Sequence, residues 1–200
     1  MGQGKQAKTL NRSQIKMVAE FLGSHRNGLR NQTIFLLSVK SGLRAKEISR
    51  LKWAMVLKSD GTLDDYINLP NSSSKGKSGG RTIPLNRDVK ENLKKLLLDH
   101  QGVRGFDHSK WFIVQTERSH STSAQSIVNM FQRWYGTLGL VGCSSHSGRR
   151  TFITETAKKI STVGGSLRDV QMMVGHSSLQ TTQRYIDADS EAQRKVVDLI

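Results

Sequence analysis

Between His146 and Tyr185 the chain gathers side chains suited to acting on an anion. His146 and Arg149 stand at i and i+3, which places them on one face of a helix. His176 follows a glycine. Tyr185 comes nine residues later, on a short segment too polar for a core. Cations gathered around one hydroxyl point to chemistry on an anionic group, and phosphate suits this set best. The run HSGRRTFITE predicts a helix over His146–Ile160 with Ser147 near its N-cap, whose first N–H groups add anion-binding capacity.

The bulk properties agree with an anionic partner. The 200 residues carry a formal net charge of +15, with a pI near 10.3, and 36% are hydrophobic. This charge predicts a polyanion, nucleic acid by default, against the plainer reading of a merely solubilising basic surface. The charge is uneven. Residues 1–60 hold twelve Lys/Arg and three Asp/Glu, whereas residues 151–200 hold six of each. The binding face is therefore expected to draw on the first sixty residues, with the tail used for packing. The lone cysteine, Cys143, excludes an internal disulfide and a cysteine-based zinc site; it reads as a small buried hydrophobe in a reducing, cytoplasmic setting. No apolar run approaches the eighteen or so residues of a membrane span, and no signal-peptide h-region follows the N-terminus, so no membrane partner is expected. The histidines show no ligand spacing that implies a metal, and no cofactor motif is evident.

The elements that must position these residues are mainly helical. Residues 1–9 read as a flexible basic arm. Leu10–Leu22 is a helix capped by Asn11 or Ser13. Arg30–Ser41, nearly apolar all round, is a central core helix ended by Gly42 in the left-handed manner. Arg44 is thus fixed at a helix–helix junction before a short helix, Ala45–Leu51. Trp53–Leu57, Asp65–Leu69 and Arg81–Leu85 read as three antiparallel strands, the last two joined by the lysine-bearing stretch Asn71–Gly80. Its Gly76-Lys77-Ser78 is not a P-loop: that motif needs glycine at position 71, which is Asn71, and a following helix. Further helices are expected from Asn86 or Asp88 to His100, from Ser126 to Gly136 and over Leu167–Val174. The apolar end, Val196–Ile200, closes a helix that packs in cis or on a neighbouring protomer. The fold class is α+β, mainly α with a small three-stranded antiparallel sheet.

Four ordered blocks, GLRAKEISRLKW, SSKGKSGGRTIPL, HSGRRTFITE and VGHSSLQTTQRYID, resemble the catalytic domain of tyrosine recombinases, the phage integrases and their bacterial relatives. The likeness runs from about Leu10 to Asp187. It implies that fold for residues 10–187, with residues 188–200 as a C-terminal helix exchanged between protomers or packed in cis. It implies catalytic roles for Arg44, His146, Arg149 and His176, and for Tyr185 as nucleophile. Lys75 best matches the family's hairpin lysine, with Lys77 as the alternative. The basic residues Lys46, Lys77, Arg81 and Arg150 are candidate DNA contacts. Two positions depart from the usual block: Gly148 stands for a packing leucine and Arg150 for a non-catalytic histidine. The family's N-terminal DNA-clamping domain is not expected in the roughly ten residues that precede the catalytic region at about Leu10.

The implied activity is ATP- and metal-independent DNA strand exchange through a 3′-phosphotyrosine, with double-stranded DNA and other protomers as partners (a tetramer on DNA, a monomer without it). A type IB topoisomerase-like relaxation, a non-autonomous accessory DNA-binding factor and a general RNA-binding protein are the rival readings; a filled catalytic set disfavours the accessory factor. Arg44, His146, Arg149 and His176 are expected to converge on one basic cleft. Tyr185 and Lys75 are expected to lie displaced from it until DNA binds.

Overall fold

The computed structural model describes residues 6–71, 80–117, 119–185 and 197–198. Helix α1 (Arg12–Gly23) is capped by Asn11: its side chain accepts from the Gln14 amide at 2.9 Å, and the Gln14 side chain accepts from the Asn11 amide at 3.0 Å. That reciprocal box satisfies two otherwise unpaired N–H groups. Helix α2 (Gly28–Ser41) starts two residues earlier than its apolar pattern predicts, after Asn27 in the left-handed region. Ile34, Phe35, Leu36, Leu37 and Val39 are all buried, as an all-round apolar helix requires. α1, α4 (Arg87–Gln101) and α6 (Ser147–Lys159) pack around it, while α3 (Ala45–Arg50) packs on α5 (Ala124–Thr137).

Gly42 ends α2 at φ +65°, and a Cβ there would also meet the Phe152 ring at 2.5 Å. Glycine is therefore required twice over, by backbone conformation and by the approach of α6. A second, smaller apolar cluster joins Ile153 of α6 to Val170 and Val174 of α7 (Leu167–Val174), with Tyr185 packed against it. Between α6 and α7 lies a 3-10 turn, Ile160–Val163, and α8 (Leu179–Gln183) follows α7. Among the described residues no helix is long and apolar enough to cross a membrane.

The sheet has two strands among the described residues, not three. β1 (Tyr66–Leu69) pairs antiparallel with β2 (Arg81–Pro84), with Ile67 opposite Ile83 on the buried side. The expected strand at Trp53–Leu57 is a 3-10 turn over Trp53–Met55. A continuous apolar run fits a buried strand or any other buried segment equally well. Here the backbone bonds make the difference: the Met55 amide donates to the Lys52 carbonyl at 3.0 Å and the Val56 amide to the Trp53 carbonyl at 2.9 Å, while the buried Trp53 donates its Nε1–H to His100 Nδ1 at 2.9 Å. Lys75 and Lys77 lie outside the described residues, as does most of the expected C-terminal helix. Cys143 is half-buried and packs against the edge of the main core.

Gly148 lets α6 approach α2 closely. A Cβ at 148 would stand 2.4 Å from Ser38 Oγ and 3.0 Å from Ser38 Cβ, and Ser38 is fully buried. We expect Gly148→Leu, the residue typical of the resembled family, to lose about 1–3 kcal/mol through overpacking, beyond the ~1 kcal/mol gained by removing a helical glycine. The check is a lower urea midpoint at unchanged m-value. An unchanged or higher midpoint would show that the helices can separate at no cost.

Candidate active site

Arg149 lies at the third position of α6 and is 4% exposed. Its guanidinium donates to the Gly42 carbonyl at 2.5 Å and to the Val174 carbonyl at 2.7 Å. These carbonyls belong to the C-terminal ends of α2 and α7, where helix dipoles favour a cation. Burial, and then the nearby Arg44, push the Arg149 guanidinium down to about 9; Glu47 opposes this. It remains charged at neutral pH.

Arg44 caps α3 from the junction after α2. Its amide and guanidinium both donate to Glu47, at 2.8 and 3.0 Å. Arg81, at the start of β2, reaches the same carboxylate with a two-point fork of 2.9 and 2.8 Å. Glu47 is 1% exposed and accepts four hydrogen bonds, the full complement of a carboxylate. Its burial alone would raise its pKa, but the bonds and charges from Arg81 and Arg44 hold it below the ordinary carboxylate value. Arg81, expected at the DNA surface, is turned inward with its side chain 8% exposed. The reason is the buried Glu47 facing it, 34 residues away in sequence.

His176 follows Gly175, the left-handed C-cap of α7. Its Nδ1 lies 3.0 Å from the hydroxyl of Thr182. Burial, then repulsion from Arg149, Arg44 and Arg81, lowers its pKa to about 4, so the ring is neutral at pH 7. Tyr185 is not displaced. Its ring stacks on His176 with centroids 5.6 Å apart, and the Arg150 guanidinium carbon lies 5.9 Å from the same ring centroid. Arg150 also donates to the Gln6 side chain.

Arg44, His146, Arg149, His176 and Tyr185 thus line one open cleft of about 590 Å³, with Arg150 and Arg184 beside them. His146 is the exposed N-cap residue of α6, and Lys46 is exposed on α3. A second cavity of about 580 Å³ abuts the start of α2 and is lined by Arg30, Asp99, His100, Trp111 and Glu117. Size does not separate the two; charge does. The first is lined by cations with no Asp or Glu among its lining residues, whereas the second mixes both signs. Among the described residues no three His, Cys, Asp or Glu side chains gather as a metal site. Glu47, Thr182 and Arg184 were not singled out from the sequence. Only Glu47 carried a local signal, standing at i+3 from Arg44 in a capping-box spacing.

Replacing Glu47 with Gln strands the buried Arg81 without its anion. Removing one partner of a buried pair costs about 3–5 kcal/mol; Arg44, with its side chain 27% exposed, adds little. We expect a loss of that order in urea denaturation at pH 7, and a loss below about 1 kcal/mol would show Arg81 to be satisfied without the carboxylate. The sign with pH is set by the lowered pKa. The Glu47 contribution is full above its ordinary 4.5 and vanishes as pH falls through the lower folded value, so wild type and variant should converge in acid.

Comparison with known proteins gives this geometry a lineage. The sequence model of the phage integrase family matches residues 8–192. The tyrosine recombinase XerC of Thermodesulfovibrio yellowstonii is 30% identical over 175 residues, covering 84% of this chain and 54% of that protein. The tyrosine recombinase XerA of Thermococcus onnurineus is 26% identical over 190 residues, covering 94% of this chain and 61% of that protein. The chain therefore spans little more than half the length of these curated relatives. A crystal structure of XerA recombinase has a TM-score of 0.72 at 21% identity, covering 96% of this chain and 65% of that one. The Tn1549 transposon integrase in complex with circular intermediate DNA has a TM-score of 0.72 at 20% identity, covering 100% and 68%. The fold is shared with both, and the chain belongs to the phage integrase family.

Proposed function

We propose that residues 10–187 are the catalytic domain of a site-specific DNA recombinase that breaks and rejoins strands through a tyrosyl–phosphate bond. The observation that carries this reading is the cleft itself. Tyr185 lies against His176 in a pocket lined by Arg44, Arg149, Arg150 and Arg184, and the buried Glu47 behind Arg44 is shared with Arg81. The excess positive charge suits a phosphodiester.

The chemistry follows from the residue types. Tyr185 Oη attacks the phosphorus in line, the bond to the 5′-oxygen breaks, and a 3′-phosphotyrosyl link forms. A 5′-hydroxyl of a partner strand then attacks and restores the backbone; the covalent link conserves the phosphodiester, so no ATP is needed. Arg44 and Arg149 meet the charge that develops on the non-bridging oxygens, and each such donor is worth on the order of 2.7–4 kcal/mol of transition-state stabilisation. His176, neutral, adds a hydrogen bond to the same oxygens. His146, exposed at the rim, takes the phenol proton, since a free tyrosine pKa of about 10 leaves the hydroxyl protonated at neutral pH. Lys75, or Lys77, protonates the leaving 5′-oxygen. Lys46 and Arg150 contact the flanking backbone. Double-stranded DNA, a tetramer of protomers on it and a cytoplasmic setting complete the reading; the XerA and XerC relatives and the DNA-bound Tn1549 integrase support it.

The direct test uses a nicked suicide DNA substrate. Wild-type protein should form a denaturant-resistant adduct, and Tyr185→Phe should form none. An equal adduct from the Phe variant overturns the assignment of the nucleophile.

A second outcome concerns His176. In the free chain burial and three guanidiniums hold it near 4, so stability is full above its ordinary 6.5 and is lost as pH falls from there towards 4. A bound phosphodiester neutralises the guanidiniums. The pKa in the complex should then rise, the complex should take up a proton in that window, and binding should tighten as pH falls through it. Titrating the His176 ring by NMR in Tyr185→Phe, with and without a short duplex, reads this. An equal pKa in both would place the phosphate elsewhere.

A further inference from the structure

Thr182 touches both His176 and Tyr185. It is fully buried on α8, and its backbone carbonyl accepts the Tyr185 amide at 3.1 Å. Its hydroxyl lies 3.0 Å from His176 Nδ1. The imidazole is pinned at its backbone as well. The His176 amide donates to the Gln171 carbonyl at 3.2 Å, and the Gln171 side-chain amide donates to the His176 carbonyl at 2.9 Å. A ring held at its backbone and at one nitrogen has one nitrogen left for the cleft it lines.

We infer that Thr182 is a positioning residue that sets the tautomer of His176: its hydroxyl donates to Nδ1, so that Nε2 carries the proton and offers it to an anion held by Arg44 and Arg149. Two physical arguments support the direction of that bond. Among the described residues the imidazole is the hydrogen-bond partner of this buried hydroxyl. Were Nδ1 protonated, the hydroxyl would accept and its own O–H would be left unmade, which a buried donor avoids. The surrounding cations also disfavour the doubly protonated ring, which would meet Arg149, Arg44 and Arg81 as a like charge. A neutral ring carries one N–H, and the partner at the other nitrogen selects which. The wrong tautomer would turn a lone pair towards the phosphate oxygens and repel them. Tyr185 belongs to the same unit, because Thr182 hydrogen-bonds its amide while orienting the ring on which it stacks.

The identity of the anion rests on the proposed function, but the tautomer does not, and the experiment separates the two. The free chain carrying 15N-labelled histidine is examined by long-range proton–nitrogen correlation at neutral pH, as wild type, Thr182→Val and Thr182→Ser. Valine keeps the branched shape and loses the hydroxyl; serine keeps the hydroxyl. Wild type and Thr182→Ser should show His176 protonated at Nε2, and Thr182→Val should shift the ring towards Nδ1. On the nicked substrate Thr182→Val should lower the single-turnover rate of adduct formation at saturating protein by roughly tenfold to a hundredfold, by analogy with loss of the outer hydrogen bond to a metal-bound histidine, with the half-saturating concentration unchanged. Thr182→Ser should stay within about twofold of wild type, as expected when the orienting bond is kept. A wild-type ring protonated mainly at Nδ1, or a Val variant with the wild-type tautomer ratio, overturns the inference. A wild-type chain that forms no adduct overturns the proposed function instead, and the tautomer spectra still decide the role of Thr182.

Discussion

The burial of one guanidinium organises this molecule. Arg149 spans the C-terminal carbonyls of α2 and α7, and both helices must end where they do for it to fit. An isolated charge taken from water would be expelled or neutralised. Two carbonyl acceptors at negative helix ends, each end worth up to about 2 kcal/mol in a partly buried geometry, offset part of that penalty. The same geometry explains two glycines. Gly42 turns the chain so that its carbonyl faces Arg149, and Gly148 lets α6 lie close enough to α2 for the side chain to reach.

Around that cation the charges do not balance, and the imbalance is directed. Glu47 is saturated by Arg44 and Arg81, which holds both in place but leaves the cleft positive. Arg81 therefore acts from beneath, as a rigid strut between β2 and α3, instead of at the surface. The neutral state of His176 and the lowered pKa of Arg149 are two consequences of one field: burial first, then the crowding of cations that a bound anion would relieve.

Much of this was legible one residue at a time. The central helix announced itself by its all-round apolar run, Gly42 by its place after that run, and His146, Arg149, His176 and Tyr185 by type and spacing. The misreadings have specific causes. Trp53–Leu57 reads as a strand in sequence because an apolar run has no period to distinguish a strand from a buried turn, whereas its amides bond three residues back in the fold. Arg81 reads as a candidate DNA contact because nothing near it in the chain reveals a carboxylate 34 residues away. The sequence places Tyr185 on a segment expected to move until DNA binds, yet stacking on His176 and packing on the second apolar cluster hold it in.

By itself the sequence determined the inventory: a strongly basic chain, a core helix, and an ordered set of cations and one phenol whose spacing places each at the end of an element. Spacing along a helix is a local property, and local geometry is what residue order encodes. Tertiary structure alone decided which cations are buried, which share Glu47, and that Thr182 meets both His176 and Tyr185. Those outcomes depend on burial and on contacts between distant segments, and the energy of a charge in a protein is set by its surroundings in space.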